Sequence, residues 1–306
     1  MKQIRILNFD NSITVQKRLT SFYNPQVVDL SQIGPKARLW ADKNVKTQIQ
    51  EQLTALPKVF LNFIGSGDFH HITSILLSQY QQPLSLIVFD FHPDWDAFPP
   101  RFACGAWVSE VMRKNSNILS AVLIGVSSDD ISGKSLLSAD FALLKNNRLQ
   151  IYPYSRKPSR VFLKRPPDNI SIKLERNYIY WSQLQGEPLE GVMRRIINRL
   201  PVKDVYISID KDCLKKAYAV TNWEEGFMSL DELLRMLKVI LGSANVIGMD
   251  ITGDYSKADI SGLWKKFCYN SDHPKDFTAN GIDEASVTQI NENTNLKMLE
   301  VLLGSA

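Results

Sequence analysis

At 306 residues the chain is long enough for one large α/β domain or two small ones, and its 44% hydrophobic and 22% charged composition, with six Trp and fourteen Phe, is that of an ordinary globular protein. The net charge of +4, with no Lys/Arg block interleaved with aromatics, argues against a nucleic-acid partner, and no stretch reaches the ~18 apolar residues of a membrane span. Three cysteines, Cys104, Cys213 and Cys268, are an odd number at no zinc-like spacing, which argues against a disulfide framework and a Cys-rich metal site.

The first ten residues meet charged and polar side chains before a signal-peptide apolar region forms, so the expected location is cytoplasmic. Helical periodicity covers residues 45–56, and a short apolar run at 58–64 reads as a buried strand. The same pair recurs: a helix over 71–80 before a strand at 84–90, and a helix over 103–114 before a strand at 121–126. Residues 144–182, with Pro153, Pro158, Pro166 and Pro167, break the alternation and read as an irregular or antiparallel excursion. A helix over 189–200, a strand at 204–210, a helix over 230–241 and a strand at 244–250 resume it. Ser229 and Glu232 form a capping box at the start of the 230–241 helix. Residues 255–276 lack periodicity and read as a long loop. Strands alternating with helices imply a mostly parallel sheet with helices on both faces, in a single domain over 1–306.

Only four histidines occur, and three of them, His70, His71 and His92, sit in two short acidic clusters that follow predicted strands. In Asp90-Phe-His-Pro-Asp94 a period of two relates Asp90, His92 and Asp94, and it recurs for Asp210 and Asp212 at the end of another strand. In parallel sheets the ligand crevice lies beyond the C-terminal strand ends, so these residues and the Asp68-to-His71 cluster can meet there. One such Asp is usually a turn former or helix cap; several gathered in one place repel unless cations neutralise them. Four carboxylates and two imidazoles suit two divalent ions, Mn²⁺ first, with Fe²⁺, Zn²⁺ or Co²⁺ as alternatives. Water shared by two such ions ionises near neutral pH and attacks an electrophilic carbon. Trp95 and Trp107 read as packing or as an aromatic wall, and Asp96 as a cap or as support for the ligands.

The order Gly-Asp-x-His, Asp-x-His-x-Asp, Ser-x-Asp-x-Asp between Gly65 and Asp254 resembles the arginase/agmatinase (ureohydrolase) family. The resemblance implies a three-layer α/β/α fold, a binuclear manganese centre and hydrolysis of a guanidinium or related C–N bond. It places the metal ligands on His70, Asp90, His92, Asp94, Asp210 and Asp212. Phe69 separates Asp68 from His70 where the family has none, which leaves His71 as an alternative first ligand. Cys104 stands where the family carries a proton-shuttling histidine. Gly253 stands where it carries the glutamate that holds the substrate guanidinium, and Asp254 follows one position late. Asp94, Cys104 and Asp254 are therefore the candidate catalytic side chains.

The expected activity is binuclear metal-dependent hydrolysis of a C–N bond in a guanidino, amidine or amide small molecule, but not arginase activity itself. Two alternatives stand beside it: a deacetylase-like amidohydrolase with a single zinc, and a metal-binding pseudo-enzyme. A small-molecule substrate is the expected partner, with neither nucleic acid nor membrane, and self-association into a homo-oligomer stays open.

Overall fold

The computed structural model describes residues 2–100, 102–163, 165–273 and 283–304. Among these, the strands are β1 (Ile4–Asn8), β2 (Gln26–Asp29), β3 (Leu61–Gly65), β4 (Leu84–Phe89), β5 (Ile118–Ile124), β6 (Leu149–Tyr152), β7 (Ser159–Arg160), β8 (Ile172–Glu175), β9 (Tyr178–Trp181), β10 (Asp204–Asp210) and β11 (Asn245–Thr252). The helices are α1 (Lys17–Tyr23), α2 (Gly34–Ala37), α3 (Lys43–Thr54), α4 (Thr73–Leu77), α5 (Trp107–Lys114), α6 (Leu189–Arg199), α7 (Leu230–Ser243), α8 (Leu263–Asp272) and α9 (Glu284–Leu303).

Eight strands form one sheet in the order β2-β1-β3-β11-β10-β4-β5-β6, with every neighbouring pair parallel. Alternate side chains of a strand enter opposite cores. In β4, Leu84, Leu86 and Val88 pack with residues of α3, α4 and α5, whereas Ile87 and Phe89 pack with residues of α6, α7 and α9. The result is a three-layer α/β/α architecture with a parallel central sheet. Apolar runs without polar alternation, such as that of β4, are the mark of strands covered on both faces.

The excursion at 144–182 contributes β6 to the edge of the main sheet and then a small antiparallel sheet, β7-β9-β8. The capping box is formed: Ser229 accepts from Glu232 N–H, and the Glu232 carboxylate accepts from Ser229 N–H. The run read as a loop contains α8 instead. Its apolar residues Leu263, Trp264 and Phe267 are 88%, 70% and 64% exposed, so they mark no buried stripe that periodicity could detect. Residues 274–276 of that run lie outside the described residues. Among the described residues, no helix is long and apolar enough to cross a membrane.

The topology gathers the strands that matter. The chain passes from β3 to β4 on the far side of two gaps, builds outward through β5 and β6, and returns to place β10 and β11 between them. The C-terminal ends of β3, β11, β10 and β4 thus lie side by side, which is where ligands bind in open parallel sheets.

Candidate metal centre

The loop after β3 opens as a turn of 3-10 helix, Gly67–Ile72, started by Ser66, whose side chain accepts from Asp68 N–H. This turn buries all of its residues. His70 Nδ1 comes to 3.1 Å from Asp90 Oδ2, 3.3 Å from Asp94 Oδ2 and 3.6 Å from Asp210 Oδ2. Gly67 is required there because a Cβ would lie 2.6 Å from Asp210 Oδ2.

Asp68 does not face this cluster. It pairs with Arg38 and accepts from His273 Nε2 at 2.8 Å; burial opposes its charge, but Arg38 and His273 hold its pKa down at about 2. His71 is also turned away, edge-on to Phe102 at 4.6 Å, with neither ring nitrogen hydrogen-bonded among the described residues. Burial, aided by Lys265, lowers its pKa to about 3 and keeps it neutral.

The spacing of two brings the carboxylates together by a route other than an extended strand. β4 ends at Phe89, and Asp90 Oδ1 then accepts the His92 N–H at 2.7 Å. Asp210 Oδ1 likewise accepts the Asp212 N–H at 3.0 Å. Each aspartate closes a turn onto the residue two positions on, which is how an Asp side chain substitutes for a backbone acceptor. Asp94 then takes φ +46°, in the left-handed region, and reverses the chain.

The outcome, among the described residues, is two groups of potential ligands that share one residue: His70, Asp90 and Asp210, and Asp90, His92 and Asp212. Within each, one ligand atom per residue lies within 4.8 Å of the others. His92 Nδ1 lies 2.9 Å from Asp212 Oδ2, and its Nε2 lies 3.3 Å from Glu224 Oε2.

The tautomer of His70 follows from its neighbour. Ser208 donates its hydroxyl to Asp250 Oδ1 at 2.7 Å, so towards His70 Nε2, 2.9 Å away, it can only accept. The hydrogen sits on Nε2, and Nδ1 is left to bind a cation or proton among the carboxylates. Asp250 is itself fixed by Tyr206 and Thr73.

Electrostatics demand positive charge here. Burial and the Asp94 and Asp212 carboxylates push Asp90 well above the usual carboxylate range, and burial with Asp212 pushes Asp210 up to about 8. Burial opposes ionisation of His70, but hydrogen bonding to Asp90 and Asp94 outweighs it and raises its pKa well above normal. Asp90 Oδ2 is buried, and among the described residues His70 Nδ1, at 3.1 Å, is the cationic or donor group the structure sets against it. A buried set of carboxylate oxygens and imidazole nitrogens fits a hard or borderline divalent cation.

The cluster forms the floor of a cavity of about 570 Å³, walled by Trp40, Phe98, Pro100 and Trp223 and reached by Asp96, Cys104, Asp130 and Glu224. Burial pushes the Cys104 thiol well above its ordinary pKa. Trp107 is wholly buried, donating its indole N–H to Asp94 Oδ2 at 2.6 Å. Asp254 is not among the lining residues. It pairs with Lys211 Nζ at 2.7 Å and accepts from Gln16 and Asn295, all buried. Removing one partner of a buried pair strands the other charge, so Asp254→Ala is expected to lower the unfolding free energy by about 3–5 kcal/mol. Urea denaturation checks this, and a loss below about 1 kcal/mol, the scale of an unremarkable substitution, would sink it.

Glu224 and Ser208 are among the site neighbours to which local sequence reasoning gave no role, and Trp107, read as packing or as an aromatic wall, is a buried donor to Asp94. Ser208 carried a signal, since it precedes Asp210 by one strand period.

Fold and site together define an α/β/α protein that gathers candidate metal-holding aspartates and histidines at the C-terminal edge of a parallel sheet. The chain belongs to the arginase family, whose family model matches residues 6–262. Among solved structures it is similar to proclavaminate amidino hydrolase from Streptomyces clavuligerus, with TM-score 0.61 and 17% identity over 99% of this chain and 92% of that one. It is also similar to arginase from Bacillus subtilis, with TM-score 0.58 and 14% identity over 100% and 99%. Formimidoylglutamase from Bacillus subtilis subsp. subtilis str. 168 matches with TM-score 0.53 and 13% identity over 99% and 87%. At these identities the likeness is one of fold. An uncharacterised protein of Thermotoga maritima is 26% identical over 195 residues, which span 63% of this chain and 58% of that relative.

Proposed function

We propose that this chain is a binuclear metal-dependent hydrolase that cleaves a C–N bond of a guanidino, amidine or amide small molecule. The observation that carries the reading is the pair of ligand groups joined at Asp90. His70, Asp90 and Asp210, with Asp94 beside them, would hold one ion, and Asp90, His92 and Asp212 the other, Mn²⁺ in first place. Bound there, two such ions supply Lewis acidity and a water acidic enough to act as a nucleophile near neutral pH.

The chain's own residues do the rest. Ser208 and Asp250 orient His70, and Glu224 faces the outer nitrogen of His92. Trp40, Phe98 and Trp223 supply apolar walls to the cavity. Cys104 is assigned to substrate contact, because a thiol whose pKa burial has raised is no base near neutrality. Asp94 is assigned to both ion binding and contact with the reacting group. Asp254, held by Lys211, is assigned to support of the turn that carries Asp210 and Asp212.

The test is the Mn²⁺-loaded protein assayed on guanidino, amidino, formimino and amide compounds, arginine included, with metal content measured in parallel. The expected result is two equivalents of metal, turnover of at least one compound, and little or none of arginine. A single tightly held Zn²⁺ with deacetylase activity would replace this reading, as would bound metal without turnover on the whole panel, which defines a pseudo-enzyme.

A further inference from the structure

Among the candidate ligands, Asp94 is distinguished by how it is held. Asp90, Asp210 and Asp212 accept from backbone N–H groups of His92, Asp212 and Phe91 respectively. Asp94 instead takes a side-chain donor, the indole N–H of Trp107, onto Oδ2 at 2.6 Å. That same oxygen is the one 3.3 Å from His70 Nδ1. The Trp107 ring also packs against the His70 ring, with centroids 4.8 Å apart. The Asp94 backbone, at φ +46°, is held from the same helix, because Val108 N–H donates to the Asp94 carbonyl at 3.1 Å.

We infer that Trp107 is a positioning residue for the metal centre: its N–H fixes the Asp94 carboxylate against His70, so that Asp94 serves the ion held by His70, Asp90 and Asp210 and not the other. The inference rests on the two-ion reading above. A neutral donor suits the task for a physical reason. A third carboxylate beside Asp90 and Asp210 needs a fixed donor to hold its orientation. Lys or Arg would give it, yet would pair with the carboxylate and repel the incoming cation. An indole N–H occupies one lone-pair direction of Oδ2 without adding net charge. A buried Trp N–H also needs an acceptor of its own, so the contact is stabilising for both partners.

Trp107→Phe keeps the ring and removes the donor. In Mn²⁺ titrations of the full chain by calorimetry, one binding event is expected to weaken by about 10–100-fold, the range for lost partners of metal ligands. The other event stays unchanged. In an Asp94→Asn background, Trp107→Phe should add nothing further. Trp107→His, which offers an N–H from a smaller ring, should recover part of the affinity, and it also serves if the Phe variant fails to fold. Parallel weakening of both events, or an undiminished effect in the Asp94→Asn background, overturns the inference in favour of simple packing. A wild-type chain that takes up one ion only defeats the two-ion reading; Trp107 is then judged on that ion, and an effect that vanishes in the Asp94→Asn background still upholds its role through Asp94.

Discussion

Asp90→Asn is expected to abolish binding of both metal ions and to lower hydrolysis by on the order of 10³-fold or more, since metal-derived stabilisation of several kcal/mol corresponds to about a decade per 1.4 kcal/mol. Asp90 is the one residue common to the two ligand groups, whereas Asp210 and Asp212 each belong to one. Its Oδ1 also accepts the His92 N–H, and its buried Oδ2 lies 3.1 Å from His70 Nδ1. Asparagine keeps the shape and places an amide where a charge is required. Asp212→Asn should retain one ion, so the contrast in metal stoichiometry between the two variants identifies the shared position. The apo proteins should differ in the opposite sense. Burial and the neighbouring Asp94 and Asp212 make ionised Asp90 unfavourable, so the neutral variant should be no less stable than wild type without metal. Added Mn²⁺ should raise the wild-type Tm by an amount worth about 4 kcal/mol at a thousandfold excess over Kd and leave the variant unmoved. Two equivalents of metal in Asp90→Asn would refute the shared-ligand arrangement.

Much of this architecture was written locally. β10 coincides with the run read as residues 204–210, because Val205, Ile207 and Ile209 are buried in one core and Asp210 ends the strand where polar chemistry begins. The acidic clusters were legible because histidine is scarce in the chain and concentrated behind strands. The backbone route was not legible: the spacing of Asp90 with His92 and Asp210 with Asp212 arises from side-chain-closed turns, and an extended strand would have shown the same spacing. Contacts made across long separations leave no local trace at all. Asp68 reads as part of a ligand motif, yet it is held by Arg38 and by His273, 205 positions away. Trp107 was legible as an aromatic near the site, but its role depends on the N–H reaching Asp94 across the start of α5. Helix α8 escaped because its largest apolar side chains face outward, which removes the amphipathic stripe on which helix reading depends.

Gly253→Glu, which places a glutamate where the family resemblance calls for one, is expected to damage the metal centre and confer no arginine hydrolysis. The backbone at Gly253 has φ +88°, a region that costs a side-chain-bearing residue about 1–3 kcal/mol. A Cβ there would lie 2.4 Å from Asp210 Oδ1 and 2.6 Å from the Lys211 backbone nitrogen. Neither atom can give way freely: Asp210 Oδ1 closes the turn onto Asp212, and Lys211 is tied to Asp254. A glutamate at this position is therefore not a single added side chain, since the turn carrying Asp210 and Asp212 is built against the bare glycine. Gly253→Ala separates the two effects, because it brings the Cβ without a carboxylate. Both variants should lose thermal stability and bind Mn²⁺ more weakly, with the ion held by Asp210 affected first. Thermal melts and Mn²⁺ titrations read this directly. A Gly253→Glu protein with wild-type Tm and efficient urea release from arginine would show that the turn can relax, and that the substrate preference of this chain hangs on one side chain after all.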